Sequence, residues 1–197
     1  MKSLLVIPTV LLVFLGCSQP AHAQEQSAVD LAGGYQYSYI TNGGGTGFPG
    51  GWFASVGGHI SPVFAIAGEA SGAYKTESMS GSNAGFTISA NLQLRLYTFM
   101  VGPRLTSRPG TARVFGQFLV GGATLSGSGT ATAGDITVSS SGSETYFAFA
   151  PGGGVDVKAS RHLGLRIFAS FQLLNTKSNA NEWGKVFETG VGLVWIP

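Results

Sequence analysis

Apolar residues recur at every second position through most of the chain, and this period constrains the fold more than any other feature. From Leu163 to Leu173, the residues Leu163, Leu165, Ile167, Ala169, Phe171 and Leu173 fall on one side. Arg166, Phe168, Ser170 and Gln172 fall on the other. The run Ile88, Ala90, Leu92, Leu94, Leu96 alternates with Ser89, Asn91, Gln93, Arg95 and Tyr97, and Phe187–Trp195 alternates the same way. Period two is the signature of a β-strand whose two faces meet different surroundings. No window of useful length shows helical spacing. Turn signals divide the pattern into eight runs, at roughly 28–40, 50–60, 63–75, 86–101, 112–126, 144–157, 163–174 and 185–197. These runs are longer than the usual globular strand of about 5–6 residues, and each is enough for the roughly 9–11 residues that cross a bilayer.

The connections alternate as well. Residues 41–49, 76–85, 127–143 and 175–184 are long and rich in Gly, Ser, Thr and Asn, whereas Ser61-Pro62 and 158–162 are short. The expected fold is therefore all-β: an eight-stranded antiparallel up-and-down barrel with long connections at one end and short turns at the other.

Charge decides which face is outside. Only 10% of the 197 residues are charged, against about 25% in ordinary soluble domains. A soluble barrel or lipocalin-type carrier, the alternative reading, would need charged outer faces on most strands. Here one set of faces carries Tyr35, Tyr37, Tyr39, Phe64, Ile66, Leu92, Leu94, Phe118, Val120, Phe147, Phe149, Ile167 and Phe171. Such a band would aggregate in water but suits lipid, so these residues are assigned to lipid. The isolated strand charges Glu69, Arg95, Asp156, Arg166 and Glu188 are assigned to the lumen. A net charge of +2 offers no basic surface for nucleic acid, and one Cys with three His gives no disulfide framework and no metal spacing.

Hairpin register predicts ion pairs within that lumen. A hairpin centred near residue 82 puts Glu69 opposite Arg95, and one centred near 160 puts Asp156 opposite or diagonal to Arg166. Such pairs would hold an eight-stranded barrel shut; the sharper alternative is a gate whose pairs exchange. Trp52, Tyr74, Tyr146 and Phe187 near the long-loop side, with Phe64, Tyr97, Phe99 and Trp195 near the short-turn side, read as interfacial girdles. Arg104, Arg108, Arg113, Lys158 and Arg161 fall in or beside the short-side turns.

The N-terminus reads as an address. Lys2 precedes an apolar stretch, and Ala21-His22-Ala23 supplies a small-x-small cleavage site. The expectation is a signal peptide over 1–23, cut after Ala23, and a barrel domain over 24–197. The competing readings are an uncleaved anchor and a lipoprotein with Cys17 lipidated.

These residues resemble the outer-membrane β-barrel domain family of the small OmpA/OmpX type, across the whole of 24–197. Phe99-Met-Val-Gly-Pro-Arg104 resembles the family's approach to a short turn, and Pro151–Val157 with the following Lys158–Arg166 resembles its sixth strand, turn and seventh strand. The C-terminal run is similar to the family's assembly signal, with Glu188, Gly190, Leu193 and Trp195 filling it, although the chain ends Ile196-Pro197 rather than on an aromatic residue. The resemblance implies a Gram-negative outer membrane, contact with its lipid and with the barrel assembly machinery, and no particular activity.

No catalytic constellation emerges. His59-Ile-Ser61 has the spacing of a lipid A deacylase motif but lies at a short turn, on the side away from the outer leaflet, and lacks the following Asn. The Gly runs precede no Lys-Ser/Thr and helix, so they form no phosphate loop. The expectation is a non-enzymatic membrane barrel without cofactor or metal, too narrow for general diffusion. Its role is structural or interactive, and an extracellular ligand would meet loops 41–49, 76–85, 127–143 and 175–184. A soluble lipocalin-like carrier and a lipid A-modifying enzyme are the alternatives.

Overall fold

A computed structural model describes residues 29–41, 45–83, 86–108, 110–133, 136–175 and 183–196. The leader segment with Ala21 and Ala23, and most of 175–184, lie outside the described residues. The strands are β1 (Val29–Ile40), β2 (Thr46–Phe48), β3 (Gly50–Ser61), β4 (Phe64–Asn83), β5 (Phe86–Thr106), β6 (Ala112–Ala133), β7 (Ile136–Lys158), β8 (Leu163–Asn175) and β9 (Trp183–Trp195). Each long strand pairs antiparallel with the next, and β1 pairs with β9 from Leu31–Trp195 to Ile40–Val186. That last ladder closes the ring. The short β2 pairs only with β1 and continues the line of β3 past Pro49, so the ring has eight staves.

Closure explains how so apolar a sheet is stable. An open sheet would present two rows of unpaired backbone donors and acceptors, intolerable in lipid. The outer surface is apolar all round: Leu31, Val56, Ile66, Phe99, Phe118, Ile167 and Leu193 are among its exposed large side chains. Phe118, Phe147, Phe149 and Trp183 form a chain of ring contacts on this outer surface, with centroids 5.0–6.2 Å apart.

Four expectations are corrected. First, β4 to β7 continue well past the expected ends, so much of 76–85 and 127–143 is β-ladder rather than loop. The segment 41–49 likewise contains β2. Gly, Ser and Thr there argue for a turn by composition, yet the alternation persists and cross-strand pairing follows it.

Second, the β4–β5 hairpin is not centred near residue 82. Its last pair is Asn83–Phe86, so Glu69 faces Met100 and Arg95 faces Tyr74. Because side chains alternate, this displacement also exchanges the faces of β5. Leu94 and Leu96 turn into the barrel, where Leu96 is 1% exposed, and Arg95 turns out. The assignment of Leu94 to lipid and Arg95 to the lumen is therefore inverted; Leu92 shares the face of Leu94 and Leu96 but is 41% exposed.

Third, the connection between the runs 86–101 and 112–126 is narrower than expected. β5 continues to Thr106, which carries Arg104 into the wall, 1% exposed; β6 begins at Ala112 as expected, and Arg113 beside it points inward, 7% exposed.

Fourth, two aromatic residues leave their assigned girdles. Tyr97 stands beside Tyr74, ring centroids 5.8 Å apart, next to Trp52, which donates to the Tyr74 hydroxyl at 3.0 Å. Tyr146 packs against the inner apolar cluster.

Candidate functional site

Among the described residues, the buried charged and polar side chains gather in the lumen, and the inner face of β8 sets out their order. From the short-turn end it reads Arg166, Phe168, Ser170, Gln172, Leu174, all buried. β1 runs parallel to this order with Asp30, then Ala32 packed in one cluster with Phe53, Phe115 and Phe168, then Gln36 and Ser38, then Ile40. The interior is thus layered: charge, aromatic, neutral polar, apolar.

The charged layer centres on Asp30. Its Oδ1 lies 3.2 Å from Arg166 Nη2 and 3.3 Å from Arg104 Nη1. Its Oδ2 lies 2.8 Å from His59 Nε2 and 3.7 Å from Arg113 Nη2. Asp156 faces Arg166 across the β7–β8 ladder and is 2.7 Å from its Nε. Asp156 also lies 3.1 Å from Arg113. Arg166 further donates to Ser55 Oγ at 2.9 Å. Arg104 donates to Gln117 at 2.9 Å, and the Gln117 amide donates to Glu69 at 3.3 Å. The three arginines are thus matched by Asp30, Asp156 and Glu69. A buried charge cluster is tolerable only when it is nearly neutral and most of its hydrogen bonds are satisfied; here Arg104 Nη2 and Arg113 Nε are the guanidinium nitrogens left without a partner.

Aromatic packing locks this layer. The Phe115 ring centroid is 4.9 Å from the Arg104 guanidinium carbon and 4.8 Å from that of Arg166, a favourable arrangement for cations over a π face. Phe53 meets Phe168 edge to face at 4.7 Å. Glycine makes room for these rings. A Cβ at Gly190 would sit 2.4 Å from the Phe168 ring, and one at Gly154 2.8 Å from the Phe115 ring.

Glu188 occupies the next layer, 1% exposed. It accepts from Gln36 at 2.8 Å, Gln172 at 2.6 Å, Ser170 at 3.2 Å and Ser38 at 3.3 Å. Neutral donors surround it. Above it, Phe48, Leu96, Leu119, Leu174 and Val186 make an apolar cap.

Of the five residues expected to form the lumen network, the structure brings Asp156 and Arg166 together and sets Glu69 at the network's edge through Gln117. It places Glu188 in a separate layer and Arg95 outside the barrel, beside Gln93 at 3.3 Å. The expected Glu69–Arg95 pair does not form. Sequence reasoning missed Asp30, His59, Arg104 and Arg113 as lumen residues. Parity was the available signal: Asp30 lies an odd number of residues from Tyr35, Tyr37 and Tyr39, which were assigned outward.

In the C-terminal run, Glu188 and Gly190 point inward while Leu193 and Trp195 are exposed on the outer face at the β9–β1 seam. At the short turn, the His59 imidazole is bonded to Asp30. The Ser61 hydroxyl accepts the amides of Phe64 at 3.1 Å and Val63 at 3.4 Å.

Beyond the barrel, β4 to β7 rise as two long hairpins with one wholly polar face. Ser78 bonds Asn91 at 2.6 Å, Thr124 bonds Thr145 at 3.0 Å, Ser126 bonds Ser143 at 3.0 Å and Thr132 bonds Thr137 at 3.2 Å.

A closed antiparallel ring, apolar outside and filled by layers within, defines an integral membrane β-barrel. The chain belongs to the outer membrane protein beta-barrel domain family, whose pattern matches residues 9–195, and it is an outer-membrane protein. Comparison with curated proteins finds no match. Among solved structures it is similar to Ail, the attachment invasion locus protein of Yersinia pestis, in complex with the heparin analogue sucrose octasulfate. The TM-score is 0.59 at 15% identity, over 87% of this chain and 99% of that one. It is also similar to Neisserial surface protein A, with a TM-score of 0.50 at 11% identity, over 87% of this chain and 99% of the other. At these identities the likeness concerns the fold.

Proposed function

We propose that the protein is a closed-lumen barrel that serves the envelope structurally and makes its external contacts through the hairpins of β4–β5 and β6–β7. It acts neither as a general pore nor as an enzyme. The observation that carries this reading is the layered plug. Arg104, Arg166, Phe115, Phe168, Glu188 and Leu96 fill successive levels of the interior, as expected of an eight-stranded barrel whose side chains just fill it. The test is conductance in planar bilayers. Traces at background level support the reading; steady channels proportional to protein would overturn it.

The placement of His59 and Ser61 supports the non-enzymatic reading. A base must reach the proton that it removes; His59 Nε2 turns to Asp30 within the lumen charge layer, and Ser61 lies at the short turn, where its hydroxyl accepts two backbone amides. Unchanged lipid A mass in cells expressing the protein is the expected result.

Ail was solved with a sulfated heparin analogue. The exposed hairpins here carry mainly neutral hydroxyl and amide groups, with Lys75 bridged to Glu77 at 2.7 Å. This chemistry suits an uncharged polar partner better than a polysulfate. Cleavage after Ala23 and recognition of the Glu188–Trp195 strand by the assembly machinery complete the proposal. N-terminal sequencing of the outer-membrane form tests the first.

A further inference from the structure

Among the described residues, the lumen is one positive charge short. Arg104, Arg113 and Arg166 stand there against Asp30, Asp156, Glu69 and Glu188, three cations to four carboxylates. The His59 imidazole lies on Asp30, which three guanidinium groups already approach. Lys75 is engaged with Glu77. The carboxylate left over is Glu188. It lies between the layer of Phe53 and Phe168 and the apolar cap. Glu69, a group of its own sign, acts on it across the lumen. An ionised carboxylate isolated in such a place is costly unless a positive charge joins it.

The groups around Glu188 come from both flanking strands. Ser38 on β1 and Ser170 on β8 are its register partners. Gln36 approaches from the short-turn end and Gln172 from the other. Their amide nitrogens lie 2.8 and 2.6 Å from the two carboxylate oxygens. The amide oxygens, Gln36 Oε1 and Gln172 Oε1, are buried and have no hydrogen-bond partner, an expensive state for an acceptor. Half a turn of each amide exchanges its nitrogen and oxygen. Both amide oxygens then join the carboxylate and the two hydroxyls. Two from Glu188, two amide and two hydroxyl oxygens make six. They would repel one another with nothing positive among them. Carboxylate, amide and hydroxyl oxygens together are the ligand set of a hard cation. A divalent ion would overshoot the single missing charge, and magnesium keeps several waters, for which a filled interior has no space.

We infer that Glu188, Gln36, Gln172, Ser38 and Ser170 bind one monovalent metal cation of sodium's size inside the barrel. Serine and glutamine lie outside the His, Cys and carboxylate spacings that mark metal sites in a sequence, and closure of β1 on β9 is what brings these five side chains together. The inference goes beyond the closed-lumen reading, and the two fail separately: conductance tests that reading, sodium-dependent stability tests this one.

The experiment follows urea unfolding of the full chain in phosphatidylcholine vesicles, in chloride salts of sodium, potassium, choline or calcium at one ionic strength. Sodium should stabilise most. Once the site fills, each tenfold rise in sodium, with choline making up the ionic strength, should lower the unfolding constant about tenfold. Glu188→Gln keeps the shape and removes the charge, so the folded variant should lose this dependence. Gln172→Met removes one ligand oxygen and should move the dependence to about tenfold higher sodium or beyond, at least the loss that follows removal of a group supporting a metal ligand. Mobility of unboiled samples on gels establishes that each variant is folded. Should Glu188→Gln fail to fold, Gln172→Met still decides. An equal response to sodium and choline, which is general screening of charge, would overturn the inference. So would a stronger response to calcium than to sodium, or a midpoint that follows pH and ignores the metal ion. A sodium dependence unchanged in a folded variant would overturn it as well.

Discussion

Asp30, on the first strand, holds its carboxylate 3.2 Å from the Arg166 guanidinium, on β8. In the ring, β9 stands between the strands that carry them. The contact ties the strand that begins the barrel to one that is placed near its end. It is made across the interior rather than along a ladder. Arg104 and Arg113 meet the same carboxylate from β5 and β6, so one side chain gathers four staves.

Removing that carboxylate leaves three buried guanidinium groups with too few counter-charges. Asp30→Ala should destabilise the barrel by about 3–5 kcal/mol, the range for breaking a buried ion pair from one side. Urea unfolding in phospholipid vesicles reads this. Asp30→Ala together with Arg104→Ala should cost less than the sum of the two changes. A loss under about 1 kcal/mol for Asp30→Ala would show that the network contributes little.

Glu69 and Arg95 point to opposite faces. A cycle of Glu69→Ala and Arg95→Ala should therefore be additive within about 0.5 kcal/mol. Arg95→Ala alone should stay within about 0.5 kcal/mol of the parent, as exposed substitutions do. Coupling above that level would return Arg95 to the lumen.

The space over Gly190 is occupied by the Phe168 ring. Gly190→Ala should cost about 1–3 kcal/mol by overpacking, with a lower unfolding midpoint as the readout. Combining it with Phe168→Leu should recover part of the loss, since the smaller side chain frees the crowded space. Full stability of Gly190→Ala would mean that the interior yields more readily than its packing suggests.

Ile167 is 51% exposed on the outer face. On a soluble barrel Ile167→Arg would be harmless or favourable. Facing lipid near mid-depth, it should cost about 2–4 kcal/mol. Comparing unfolding in vesicles of the parent and the variant separates the two surroundings.

Much of this architecture is legible without coordinates. Alternation in Leu163–Leu173 and Phe187–Trp195 determines which side chains share a face, because successive Cβ atoms of a strand point oppositely. The scarcity of charge beside so many exposed-face aromatics determines that this face meets lipid. The strand count and the alternation of long and short connections follow from the same patterns. What only the tertiary structure decided is register. The turn of the β4–β5 hairpin lies a few residues beyond where Gly and Ser suggest it, and with a side-chain period of two, such a slip can exchange the faces of a strand. So Leu96 became core, Arg95 became surface and the Glu69–Arg95 pair dissolved. Asp30 illustrates the other limit. Its parity marks it as inward, but its partners come from β3, β5, β6 and β8, and no local pattern brings those strands to one point. Only closure of β1 onto β9 does so, because it forces inward charges from distant parts of the chain into one small volume where they must neutralise each other.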